Sequence, residues 1–225
     1  MDSLTQIVLG AAVGEAVLGR KIGNKAMLYG AIAGTIPDLD VVASFFTDTV
    51  TALEIHRGFT HSIFFSLFFA PILAFIVAKY ETYKNLKNWT FLFFWVFITH
   101  PILDSQTTWG TQLFWPLNIR LAFKNIFVID PLYTIPFLVF LILTMRQKKA
   151  TLKRRYYNNL GLGISSSYLV LTLILKGVSY QNFTKELVAQ NINYKAIKTK
   201  PTPLNTILWT ANIETEKSYL IGNSS

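Results

Sequence analysis

The chain has no cysteine among its 225 residues. That excludes a disulfide framework and any thiolate metal site, so a metal here must be held by His, Asp or Glu. Charge is also scarce: 15% of residues are charged and 52% hydrophobic, where soluble domains carry about 25% charge. Histidine occurs three times, and 12 acidic residues face 21 basic ones. The shortage of charge points to lipid. Ser62 to Ala78, SIFFSLFFAPILAFIVA, is an unbroken uncharged run of about the length that crosses a hydrocarbon core. MDSLTQIVLG lacks a basic n-region, and Glu15 interrupts the apolar stretch behind it. The N-terminus therefore reads as retained structure, a helix facing protein, and not as a secretory signal.

Six apolar segments are present: Leu4 to Leu18, Ala26 to Phe46 with a break at Pro37-Asp38, Ser62 to Ala78, Trp89 to Leu103, Phe127 to Met145 and Leu160 to Leu175. The third, fifth and sixth read as spans. The first two are short or broken, which a membrane tolerates where protein or water covers the backbone. Lysine and arginine crowd alternate connections, at Arg20, Lys21 and Lys25, at Lys79, Lys84 and Lys87, and from Arg146 to Arg155. The remaining loops hold only Arg57, Arg120 and Lys124. The positive-inside rule then places both termini and the even-numbered connections outside the cytoplasm. The net charge of +9 is in this reading a topology signal. RQKKATLKRR is a juxtamembrane loop, and nothing else supports a nucleic-acid partner. Beyond Lys176 the character changes: FTKELVAQNI has the pattern of a short amphipathic helix, and TILWTANIE and EKSYLI alternate as two strands with a turn near Glu216-Lys217. The expected fold is an all-α polytopic membrane protein of about four to six membrane helices, residues 1–176, with a small α+β extramembrane tail, 177–225.

In this topology the imidazoles and several carboxylates fall on one side. His100 and Asp104 in THPILD are spaced i, i+4, which puts both on one helical face. That suits a shared metal, and equally a hydrogen bond between two buried groups. His56 and His61 are five apart, too far round a continuous helix to meet one ion. A break at Gly58, with Thr60 capping the next helix, would turn both inward. Arg57 between them suits an anionic phosphate or carboxylate, or a lipid headgroup. TIPDLD offers Asp38 and Asp40 beside a helix-breaking Pro37. Ionisable groups at membrane depth are costly unless paired, solvated or metal-bound. The expected metal-facing residues are His56, His61, His100, Asp104 and Asp38, for a divalent ion, zinc first and manganese or magnesium next. Trp109 and Trp115 fit an aromatic belt.

MDSLTQIVLGAAVGE, PDLD, HRGFTHS, HPILDSQTTWGTQLFWP, FVIDPLYT and PTPLNTILW, in that order, resemble the YdjM-like inner-membrane proteins, described as metal-dependent hydrolases. The resemblance implies that Asp38, Asp40, His56, His61, His100 and Asp104 are metal or catalytic positions. It departs at Gln6, where members of that family often carry histidine. The functional expectation is a membrane hydrolase acting at the bilayer interface on a phosphoester or other lipid-linked amphiphile. Asp38, Asp40 and Arg57 take the catalytic roles in it. The alternative is a non-catalytic transporter or scaffold with a buried His/Asp network.

Overall fold

Two pairs of glycines set a close contact between the first two helices. The computed structural model describes residues 1–48, 56–216 and 218–224. In it α1 (Ser3–Ile22) and α2 (Asn24–Thr35) are joined by Gly23 at φ 65, a left-handed turn that glycine takes without strain. The helices fold back on one another so tightly that a Cβ on Gly30 would stand 2.1 Å from the Gly10 carbonyl oxygen. Gly14 meets the Ala26 carbonyl and Gly34 the Gln6 carbonyl in the same way. After Thr35 the chain tightens into a 3-10 segment, Pro37–Phe45, where the missing N–H of proline costs little at a first turn.

A 3-10 turn, Phe59–His61, leads into α3 (Ile63–Tyr80), and α4 (Leu86–Ser105) packs back against it. Ser62, and not Thr60, caps α3: its hydroxyl accepts the Phe65 N–H at 3.1 Å. α3 buries Phe65, Ser66, Ala70 and Ala74 while exposing Phe68, Ile72 and Phe75. Apart from Phe65, small residues lie inside and large apolar ones outside, the arrangement lipid favours. The aromatic stack Trp89, Phe93, Phe97 runs down the buried face of α4.

α5 (Pro131–Met145) is capped by Asp130, and α6 (Leu152–Ala189) by Thr151. α3 and α6 are long and apolar enough to cross a membrane, whereas α5 is apolar but has 15 residues. By length and hydropathy the described helices therefore give two spans, fewer than the sequence suggests. α6 runs through residues 176–177 without a break, so FTKELVA is its upper end and not a separate helix. At 1.5 Å per residue it is about 57 Å long, nearly twice the apolar thickness of a bilayer.

The exposed end carries an antiparallel sheet in the order β1 (Ala196–Pro201), β2 (Trp209–Glu214), β3 (Tyr219–Ser224). β2 and β3 are the two strands legible in the sequence; β1 is added. Trp209, Ala211 and Ile213 seat the sheet on Phe183 and Leu187 of α6. Thr215 and Ser218 close the hairpin, and Lys217 lies outside the described residues.

Candidate metal centre

Three separate stretches of chain deliver four ligand atoms to one point. Asp38 comes from the 3-10 segment, His61 from the 3-10 turn, and His100 and Asp104 from successive turns of α4. His61 Nε2 lies 3.2 Å from His100 Nε2. Asp38 Oδ1 is 3.4 Å from each of these nitrogens. Asp104 Oδ2 is 3.5 Å from His61 Nε2 and 4.0 Å from His100 Nε2. All four atoms lie within 4.8 Å of one another. A tetrahedral ion with bonds near 2.05 Å needs ligand–ligand edges of about 3.3 Å, and four of the five measured edges are close to that.

The hydrogen bonds behind the imidazoles fix which nitrogen is free. His100 Nδ1 is 2.7 Å from the Gly34 carbonyl, an acceptor only, so Nδ1 carries the proton and Nε2 the lone pair. Thr60 donates its hydroxyl to Asp40 Oδ2 at 2.7 Å and takes the His61 Nδ1 proton at 3.1 Å. The two Nε2 atoms thus face each other at 3.2 Å, a contact that a proton on the His61 imidazole or a cation between the rings satisfies. Asp40 lies 3.4 Å from His61 Nδ1, the position of an outer carboxylate that orients a ligating imidazole.

Burial sharpens this demand for positive charge. His61, His100 and Asp104 are at most 1% exposed. Burial disfavours a charged His61, yet its hydrogen bonds to Asp104, Asp38 and Asp40 outweigh that and push the imidazole up to about 10. Asp104 Oδ2 is buried without a hydrogen-bond donor. The other oxygen, Oδ1, accepts from the Gln6 amide at 3.0 Å and from the Met1 ammonium. A divalent ion in place of the His61 proton would meet both Nε2 atoms and the Asp38 and Asp104 oxygens together, so the residues present fit one.

His56 does not reach this group: its Nδ1 is 2.6 Å from Asp40 Oδ1 and its side chain is 32% exposed. Asp40, with both oxygens engaged, supports His61 and binds His56, Thr60 and the Arg57 backbone N–H. Gly58, at φ −90 and ψ −115, breaks the chain before the 3-10 turn as expected, and Arg57 beside it takes the left-handed backbone conformation, φ 63. Its side chain is buried against Asp104 Oδ2 at 3.4 Å and Thr107 Oγ1 at 3.0 Å. Gln6 holds Asp104 and the His100 carbonyl and is a support at the centre's floor. The Gly34 carbonyl and Thr60 were not among the expected residues. Gly10-x3-Gly14 opposite Gly30-x3-Gly34 is the sequence signal for the contact that places Gly34.

A helical membrane protein with a buried His/Asp centre at one end is the class defined by this architecture. The chain belongs to the YdjM inner membrane protein family, whose profile matches residues 1–182. It is 31% identical over 144 residues to "Uncharacterized protein YfhP" of Bacillus subtilis (strain 168), covering 58% of this chain and 42% of that protein. It is 28% identical over 112 residues to "Inner membrane protein YbcI" of Escherichia coli (strain K12), covering 50% of this chain and 64% of that protein. The matched region is thus less than two thirds of either relative. No solved structure matches.

Proposed function

We propose that this protein is a membrane-bound, metal-dependent hydrolase that cuts a phosphoester or other lipid-linked bond at the bilayer interface. The observation that carries the reading is the pair of imidazole Nε2 atoms 3.2 Å apart between two carboxylates. A divalent ion held by Asp38, His61, His100 and Asp104 would supply an activated water and polarise the bond to be cut. Zinc suits the tetrahedral edges best, with manganese or magnesium next. Asp38, its side chain 26% exposed while the other three ligands are buried, marks the side from which water and substrate approach. With Asp40 fully engaged, Asp38 is the carboxylate nearest the incoming water. Arg57 offsets the charge of Asp104 and keeps it aimed. Leu39, Phe45, Phe46 and Phe59, which lie in or next to the 3-10 segment and turn that carry Asp38 and His61, are exposed, which favours an amphiphile.

The topology that goes with this reading has the centre and the tail outside the cytoplasm. The cysteine-free background makes it directly testable. A single thiol engineered at Gln147 should label only from the cytoplasm and one at Asn182 only from outside; the reverse pattern would invert the sidedness. For the chemistry, purified protein should contain a divalent ion and hydrolyse an amphiphilic phosphoester, and chelation should remove both. Protein that carries no ion from a metal-replete culture would leave the non-catalytic reading. That alternative draws on one observation: Arg57 and the Met1 ammonium already balance part of the Asp104 charge.

A further inference from the structure

The positive-inside pattern accounts for the lysines and arginines of one set of loops and leaves a second group at the opposite end. Lys124, in the loop before α5, Lys176 on α6, and Lys198 and Lys200 on β1 come from three parts of the chain. Lys176 Nζ donates to the Phe123 carbonyl, which sets it beside Lys124. Lys198 and Lys200 alternate on the outer face of β1, opposite Asn212 and Thr210. Their charges, after burial, pull the Lys124 ammonium below the usual lysine range. Lys124, Lys176 and Lys200 are half-buried. Among the described residues no carboxylate pairs with any of the four; Glu214, two residues along β2 from the partner of Lys198, shares its face without an ion pair.

Half-buried like charges without counterions are held together at a cost. Lysines on an exposed strand edge guard against mispairing, which accounts for Lys198 and Lys200 but not for Lys124 and Lys176. Depth supplies the rest. Between Arg155 and Lys176, α6 carries no charged residue, a stretch of about 30 Å that fills the apolar layer. Lys176 therefore stands where lipid phosphates lie.

We propose that Lys124, Lys176, Lys198 and Lys200 form a binding site for a phosphate-bearing anion where α6 leaves the bilayer. The occupant locks the loop before α5, α6 and the sheet together through its oxygens. The site does not depend on the metal centre.

Full-length protein in a neutral detergent is titrated with three probes: short-chain phosphatidylglycerol, short-chain phosphatidylcholine and inorganic phosphate. Phosphatidylglycerol should bind at least tenfold tighter than phosphatidylcholine at low salt. Each neutralised lysine should weaken it about fivefold, so a combined Lys124→Gln, Lys198→Gln, Lys200→Gln variant loses about a hundredfold while keeping its metal content. If that variant does not fold, exposed Lys198→Gln alone reads the fivefold step. Phosphate binding as strongly as the lipid makes the occupant a soluble phosphate; lipid binding alone makes it a headgroup. Binding unchanged in the variants, or no preference for either anionic probe, overturns the proposal.

Discussion

Among the described residues there are two buried ionic clusters, and they are built on opposite principles. At one end Arg154 clamps Glu15 through two parallel hydrogen bonds of 2.7 and 2.6 Å, both side chains almost wholly buried. Arg154 also donates to the Gln147 carbonyl at 3.0 Å. Every charge there has a partner of opposite sign, in the fork geometry that favours such pairs. At the other end ligand atoms converge: two imidazole nitrogens and two carboxylate oxygens point at one spot, and Asp104 Oδ2 has ion-pair contacts with Arg57 and His61 but no hydrogen bond. A closed pair ties α1 to α6. A convergent set leaves a point at which one ion could touch four ligand atoms.

The sharpest way to break that contrast is to remove an imidazole. His61→Ala and His100→Ala should each reduce bound divalent ion from about one per chain to less than a tenth, measured by elemental analysis; unchanged content in both would make the two clusters equivalent. Glu15→Ala should do the reverse, lowering stability by about 3–5 kcal/mol because Arg154 is left buried and uncompensated. Its folded fraction should keep full metal content, and thermal unfolding in detergent reads the difference. Asp40→Asn retains all four ligand atoms and should weaken metal affinity by about 10- to 100-fold, the usual loss when an orienting group is removed. Competition with a chelator measures it. Arg57→Lys is the mildest change. It keeps the charge beside Asp104 but loses the planar fork, so turnover should fall several-fold with the ion retained, and equal activity would remove Arg57 from the working parts.

Much of the centre could be read from local patterns. The i, i+4 spacing of His100 and Asp104 fixes a shared helical face, and both do face the same point. Pro37 marks the end of α2, which brings Asp38 to a turn. The strands TILWTANIE and EKSYLI alternate as their pairing requires. What stayed hidden depends on partners far along the chain. His56 and His61 look alike in sequence, yet one meets Asp40 and the other meets His100. Glu15 reads only as an interruption until Arg154, 139 residues on, arrives beside it. β1 was not legible because AIKTKP lacks the apolar alternation that marks a half-buried strand.

Sequence alone determined the materials: oxygen and imidazole ligands in the absence of sulfur, apolar lengths suited to lipid, and side chains sharing a helical face, all matters of composition and short-range period. Tertiary structure decided which imidazole joins the ligand set, which carboxylate stands behind it, and which lysines meet. The reason is geometric. Helical period relates neighbours a few residues apart, whereas the meeting of Asp38, His61 and His100 is set by how three segments pack, down to the backbone contact of Gly10 with Gly30.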